Sequence, residues 1–408
     1  MVTVVVSHPV QYFSPLFDLL RSHNRIDLTV AYYNDAGARP AWDENFGLSV
    51  QWDVDLTNGH KHVFLTNGDS PSNSERLAGI RKLSQLIRHS DAVVIHGYVT
   101  PEAVASIALC IAFSVPYLLR ADTSYRAAHR RPDPRYWWPR LTCRMSSGAL
   151  SIGKRNARVM VELGCPQVFN APFAADHARF YSIAEVVRLA PDPVRLEFDL
   201  PLGPPVVAFA GKFTEGKRTG DLIAALRRVD RPVHAFLIGD GPERMNLERA
   251  ARDQPITFTG FLNQREMPRA LACADVLVLP SSYEAWGMVI NEALACGCVP
   301  VVSTAVGCAP DLVEGLGEVY PTGDVDRLAR AVEHALDTAA SPNRYSNLLR
   351  RLSLYDLEHC ASQYETTLTT VSSRPRNRRS LQRVLRTTVG HLGLMRSATM
   401  RSRAFDEK

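Results

Sequence analysis

The sequence predicts an α/β protein built as two parallel-sheet halves joined by a linker, and three observations lead there. Its 408 residues exceed what one ordinary hydrophobic core accommodates. β-Branched apolar runs alternate with helical stretches through the first half, and the alternation restarts at PVVAFAGKF after a gap rich in proline and charge. The third observation is the stretch Ala274–Val313, which reads strand, loop, helix, strand. Val276–Leu279 is a continuous apolar run closed by Pro280, Met288–Ala295 reads as a helix, and Val299–Val302 follows the punctuation of CGCVP. Parallel strands need such a crossover, and their ligands bind at the carboxyl ends of the strands. Glu284, Trp286 and Gly287 therefore fall at a ligand edge, before a helix N-terminus whose amides suit a phosphate or a polar sugar. Glu292 lies within that helix.

Composition narrows the class. With 46% hydrophobic and 22% charged residues the chain reads as a soluble globular protein, and no apolar run approaches bilayer-spanning length. MVTVVVSHPV lacks a basic n-region and a long apolar h-region, so it reads as a first strand and points to the cytoplasm. The eight cysteines contain no CxxC pair and are expected to be reduced. Cys296 and Cys298 lack the further ligands a zinc site needs. The net charge of +5 is uneven: from Arg374 to Lys408 nine arginines and one lysine oppose Asp406 and Glu407, a tail of +8 that leaves the body near −3. Within this tail Leu381, Val384, Leu385, Val389, Leu392 and Met395 share a helical stripe, with Arg379, Arg383 and Arg386 off it. That pattern suits an interfacial helix on anionic lipid, peripheral on the inner face of the membrane; a disordered basic tail is the alternative. Nucleic acid is not an expected partner, because no aromatic residue interleaves the arginines before Phe405.

In chain order, Val2–Val6 is a strand ending at SHPVQYFSP, followed by a short helix, Pro15–Arg21, and a strand, Leu28–Tyr33. The region Asn34–Phe64 is irregular and aromatic-rich (Trp42, Phe46, Trp52), more like a functional loop than core. A polar helix, Ser74–Arg88, leads to a strand ending at His96 and Gly97. Pro101–Phe113 is an apolar helix with proline in its first turn, and VPYLLRADTSY is a strand ending at Arg120 and Asp122. A basic, aromatic segment (Arg130–Arg144) precedes GALSIGKRNARVMVELG, one more strand and helix. The first domain is expected over 1–175, a linker over 176–205 and the second domain over 206–345. Helices at 346–373 are expected to pack back on the first domain, and 374–408 is the basic tail. In the second domain, strands are expected at PVVAFAGKF, AFLIGDGPE and ITFTGFL, and helices at Thr219–Val229, REMPRALACA and Val325–Thr338.

The candidate chemistry sits at strand ends. GKFTEGKRTG is not a P-loop, since no hydroxyl follows Lys217, and no GxGxxG opens a helix. Lys212 and Lys217, five apart between a strand end and a helix, could neutralise a diphosphate without a metal. They could equally be solvated lysines, and the carboxylates of the same half tilt the choice toward function. Asp53-Val54-Asp55 and Asp324-Val325-Asp326 match a metal-binding triplet too short to be specific, and no metal is expected at either. His8 and His96 read as strand-end histidines, either satisfied locally or facing a substrate. Arg120 and Asp122, two apart on one strand, point the same way and form an ion pair or bind a polar acceptor.

EAWGMVINE, an E-x7-E signature, together with FAGKFTEGKRTGDLIAAL, LIGDGPE, FTGFL and PTGDVDRLARAV, resembles the family-4 retaining glycosyltransferases of the GT-B fold, in which two Rossmann-like domains face a cleft. The resemblance is strong over Val206–Leu336; SHPVQYFSPLF and LLRADTS extend it to one bacterial branch. It implies transfer of a hexosyl or related group from a nucleotide diphosphate sugar to a glycan, a lipid-linked sugar or a small-molecule glycoside, with no other cofactor. Lys212 and Lys217 match the basic pair on the donor diphosphate, Glu284 the carboxylate near the sugar hydroxyls, and Gly287, Met288 and Val289 the amides around sugar and phosphate. Glu292 matches the ribose ligand, with Gly241 near the nucleotide and Phe261 near the base; Trp286 lies among the donor-site candidates. Lys212, Lys217 and Glu284 are the catalytic candidates. On the acceptor side stand His8, Gln11, His96, Arg120 and Asp122. Two departures mark this chain: His8–Gln11 replaces a glycine-rich loop, and Arg120 with Asp122 stands where a histidine is common. A nucleotide-sugar 2-epimerase of the same architecture and a non-catalytic membrane-associated scaffold are the alternatives.

Overall fold

The computed structural model describes residues 1–44, 46–68, 70–122 and 134–373, side chains 134–136 excepted; the basic tail 374–408 with its helical stripe, and Thr123–Asp133, lie outside the described residues. Two parallel sheets organise the chain. The first contains β1 (Val2–Val6), β2 (Leu28–Tyr32), β5 (His62–Phe64), β6 (Ala92–His96), β7 (Tyr117–Arg120), β8 (Gly148–Ser151) and β9 (Val168–Asn170), in the order β5-β2-β1-β6-β7-β8-β9. The second contains β10 (Val206–Ala210), β11 (His234–Ile238), β12 (Ile256–Gly260), β13 (Val276–Leu279), β14 (Val299–Ser303) and β15 (Glu318–Tyr320), in the order β12-β11-β10-β13-β14-β15. Numbered from its own first strand, that second order is 3-2-1-4-5-6, the doubly wound arrangement whose crevice opens between strands 1 and 4.

The apolar runs follow from burial on both faces. Along β1, Val5 joins one core with Ala31, Val93 and Ile95, while Val4 and Val6 join another with Val30, Val94 and Leu118. Alternate side chains thus serve helices on opposite sides of one sheet. A single core surrounds the second sheet, with Phe209, Phe236, Leu277 and Val301 fully buried.

Three regions differ from expectation. Asn34–Phe64 is not simply irregular: it contains an antiparallel hairpin, β3 (Ala41–Asp43) with β4 (Leu48–Val50), and the edge strand β5. Strands of three residues are too short to show periodicity. The expected linker contains two helices, His177–Leu189 and Pro191–Glu197, whose Phe180, Ala184, Val187 and Val194 enter the second domain's core. The C-terminal helices part company. Arg344–Leu352 stays with the second domain through Leu348 and Leu352. Leu357–Ser372 crosses back, and its Cys360, Ala361, Tyr364 and Leu368 pack with Leu16, Phe17 and Val94 of the first. Among the described residues no helix is long and apolar enough to cross a membrane.

Candidate active site

The carboxyl ends of β10 and β13 converge at the switch point of the second sheet. There a cavity of about 430 Å³ separates the two domains, lined by Lys212, Lys217, Glu284, Gly287 and Glu292 from one side and Gln11, Tyr12 and Asp122 from the other. Lys217 Nζ is in ion-pair contact with Glu284 Oε2. Lys212, two residues beyond β10, reaches Asp43 of the hairpin instead, with Nζ 2.8 Å from Oδ2 and 3.0 Å from Oδ1. The two lysines therefore do not share a partner.

Gly287 turns the chain into the helix Met288–Ala295. Its φ is +98°, and a Cβ there would lie 2.9 Å from Leu279 Cδ2. Glycine is required on both counts. Gly287, Met288 and Val289 line the cavity, and no side-chain cap competes for the first amides of the helix.

Glu292 projects from the helix's second turn into a buried position, 2% exposed. Desolvation pushes its carboxyl up to about 7; the Arg179 guanidinium and hydrogen bonds from Tyr12 and Gln264 pull the other way. Oε1 still has no hydrogen-bond partner. Arg179 is held in place by Gln264, at 2.6 Å to its carbonyl oxygen and 2.8 Å to Oε1. A buried carboxylate oxygen without a donor, on a residue that lines a cavity, is suited to a ligand hydroxyl.

Trp286 has a different place. Although it borders the cavity, it is 3% exposed, donates from Nε1 to Asn291 Oδ1 at 2.8 Å, and packs edge-on against Phe173 at 6.2 Å between ring centres. Gly153 of the first domain leaves no room for a Cβ against its ring. The indole thus joins the domains. Phe261 lines the cavity, while Gly241 lies outside its wall, its amide hydrogen-bonded to Asp240 at 2.8 Å.

On the opposite side, Arg120 and Asp122 do not pair as one strand face. β7 ends at Arg120, whose buried guanidinium donates to the carbonyls of Ala171 (2.6 Å) and Pro172 (3.5 Å) and stacks over Phe173 and Tyr364. Asp122, past the strand end, is exposed at the cavity rim. His96 is packed against Phe13 at 4.8 Å, outside the cavity lining, and burial holds it well below the usual imidazole range. Burial also lowers His8, which is outside the cavity lining. Of the five acceptor-side candidates the fold brings Gln11 and Asp122 to the cleft. Neither aspartate triplet forms a cluster. Asp324 caps the helix Val325–Ala339 through the Arg327 amide at 3.0 Å, and Asp55 accepts from the amides of Thr57 and Asn58.

Tyr12, Asp43 and Gln264 escaped the sequence reading. Tyr12 lies one residue past the predicted Gln11, but nothing local links Tyr12 to Glu292, Asp43 to Lys212 or Gln264 to Arg179, partners that the fold brings together from distant positions. A second cavity, about 670 Å³, shares Glu284, Ala285 and Trp286 with the first and is lined further by Arg155, Arg158, Thr304 and Thr322.

Residues 204–338 match the family model described as "Glycosyl transferases group 1". A 2-deoxystreptamine glucosyltransferase of Streptomyces kanamyceticus is 34% identical over 218 residues, covering 49% of this chain and 54% of the relative. A GDP-mannose-dependent alpha-(1-6)-phosphatidylinositol dimannoside mannosyltransferase of Mycobacterium tuberculosis is 32% identical over 155 residues, 37% of this chain and 39% of the relative. The chain thus spans about half, or less, of the length of the curated relatives it matches. Among solved structures, Anabaena HepE in complex with UDP and glucose superposes with a TM-score of 0.64 at 17% identity, over 90% of this chain and 99% of that one. Sucrose-phosphate synthase from Thermosynechococcus elongatus gives 0.68 at 17% identity, over 91% and 98%. The fold is GT-B: two parallel-sheet α/β domains facing a cleft.

Proposed function

We propose that the protein is a metal-independent glycosyltransferase that takes a sugar from a nucleotide diphosphate sugar and delivers it to an acceptor with retained configuration. The observation that carries this reading is the convergence on one cavity of two lysines, a helix N-terminus and two carboxylates with different surroundings. Each suits one part of such a donor. Lys212, Lys217 and the amides of Gly287–Val289 would receive the diphosphate. Glu284, held by Lys217, would bind sugar hydroxyls, and Glu292 with its open Oε1 the ribose. The mycobacterial relative is GDP-mannose-dependent and Anabaena HepE binds UDP and glucose, which supports the same donor class.

In the reaction the bond between the anomeric carbon and the diphosphate oxygen breaks, and its electron pair stays on the diphosphate. The acceptor oxygen bonds to the same face of that carbon, and its proton passes to a leaving-group oxygen. Charge develops where the lysines and amides stand, which is where preorganised donors lower a barrier most. No closely spaced carboxylate pair of the hydrolase kind is needed. The second cavity, beyond Glu284, offers room for a glycan, a lipid-linked sugar or a small glycoside. The basic tail would hold the enzyme, in the cytoplasm, on anionic lipid.

A screen of nucleotide sugars with lipid-extract and glycan acceptors, read as nucleoside diphosphate release, tests the reading. Release with at least one donor is expected, falling about 100-fold or more in Lys217→Ala with the fold intact. A near-wild-type rate in that variant refutes the site. Donor interconversion without acceptor, seen by NMR, would mark an epimerase; absence of nucleotide binding would mark a scaffold. Deleting residues 374–408 should abolish sedimentation with phosphatidylserine vesicles, and unchanged sedimentation removes the membrane contact.

A further inference from the structure

The hairpin β3–β4 belongs to the first domain by sequence, but its Asp43 and Phe46 reach the second. Asp43 pairs with Lys212, and Lys212 Nζ also sits 4.8 Å from the centre of the Phe46 ring. Phe46 meets Phe261 edge-on at 5.0 Å, and Trp52 reaches the same ring at 6.2 Å. Past the hairpin the chain is tied down by backbone: Asn263 Nδ2 donates to Gln51 O at 2.6 Å, and the Arg265 amide donates to Asp53 Oδ2 at 3.1 Å. All of these contacts fall in the loops after β10 and β12.

Strand order gives that location a meaning. Glu284 follows β13, the lysines follow β10, and Phe261 follows β12, so along the sheet edge a donor runs from sugar through diphosphate to base. The base end is the end the hairpin covers. Phe46, Trp52 and Phe261 all line the same cavity, together with Leu262 and Ile238. A nucleobase seated there meets aromatic faces from both domains, and base–aromatic stacking tolerates any base. Asp43, by contrast, places a carboxylate on the ammonium group that a diphosphate would claim.

We propose that this hairpin and the segment just after it form a working wall of the donor site: Phe46 and Trp52 close the nucleobase subsite against Phe261, and Asp43 holds Lys212 until a nucleoside diphosphate displaces it. The proposal rests on the donor reading above. Its two parts have opposite signs, because the aromatic rings add to nucleotide affinity while Asp43 subtracts from it. Asp43→Asn isolates the charge, since the amide oxygen can keep the hydrogen bond that Oδ1 accepts from the Phe46 amide at 3.0 Å.

Calorimetry with UDP and GDP tests both parts on the full chain, with pyrophosphate displacement of bound UDP as the control for the diphosphate subsite. Phe46→Leu and Trp52→Leu keep apolar bulk on a half-buried hairpin, and circular dichroism verifies the fold. Each should weaken the tighter-binding nucleotide about tenfold while the pyrophosphate inhibition constant stays within about twofold. Asp43→Asn should tighten the nucleotide about two- to fivefold, the range for a half-exposed ion pair. Unchanged nucleotide affinity in both leucine variants, or an equal loss for pyrophosphate, overturns the aromatic wall. Unchanged or weaker binding in Asp43→Asn overturns the counter-ion. A wild-type protein that binds neither nucleotide overturns the donor site itself, and the hairpin's role with it.

Discussion

Replacing Glu292 by glutamine should make the donor-free protein more stable at neutral and alkaline pH, although it removes a residue the reaction is expected to need. A carboxyl raised from 4.5 to about 7 is one whose ionised form the fold disfavours. At 1.36 kcal/mol for each tenfold change in the proton equilibrium, the penalty is roughly 3 kcal/mol. Its cause is desolvation around a 2%-exposed side chain whose Oε1 has no donor. Between pH 4.5 and 7 the folded protein holds a proton that the unfolded chain has released. The contribution of this group is therefore fully present below pH 4.5 and lost as pH rises through 7. Urea denaturation at pH 5 and pH 8 measures it. The wild type should lose up to about 3 kcal/mol through this group between those values; Glu292→Gln should lack that part of the decline and exceed the wild type at pH 8 by about 1–3 kcal/mol. A variant with the wild-type slope, or one less stable at pH 8, would show that Glu292 is already solvated or paired. The same reasoning gives nucleotide binding a proton signature. A ribose hydroxyl bonded to Oε1 favours the carboxylate, so UDP should release a proton near pH 6.5, seen as a buffer-dependent binding enthalpy that Glu292→Gln abolishes.

Gly287→Ala forces a Cβ into a left-handed turn against Leu279, at a cost of about 1–3 kcal/mol. Thermal denaturation should register that cost, and the displaced helix start should weaken UDP in calorimetry; an alanine variant as stable as the wild type would mean that the turn relaxes freely. Arg120→Ala strips two donors from the Ala171 and Pro172 carbonyls and should cost about 2 kcal/mol or more with the donor KM unchanged. A donor KM raised severalfold without loss of stability would make Arg120 a binding residue after all.

Local chemistry made much of the second domain legible in the chain. An apolar strand buried on both faces, closed by Pro280, followed by Gly287 and a helix, can be read from residues because each step is set by neighbours a few positions away. For that reason the places of Lys212, Lys217, Glu284 and Glu292 at strand and helix ends could be expected from the sequence. Short strands without periodicity could not. The helix His177–Leu189 does carry Phe180, Ile183, Ala184 and Val187 at helical spacing, but the prolines and charges around it hid that stripe, and Pro191–Glu197 is too short to show one.

Tertiary structure alone decided how these residues differ from one another. Arg120 and Asp122 are two residues apart, yet one is buried on carbonyls and the other sits at the cleft rim, because the strand stops between them. Trp286 sits inside the sequence motif, but the first domain presses Gly153 and Phe173 against it and makes it an interdomain contact. Glu284 and Glu292 are eight residues apart and chemically alike. One meets a lysine from β10's loop, while the other is enclosed between Tyr12 of the first domain and Gln264 of the second, and its proton is held to about pH 7. The sequence places the two carboxylates after one strand and in the helix that follows it; desolvation and the charge of distant neighbours, which no short stretch of chain encodes, set the state of each in the cavity they share.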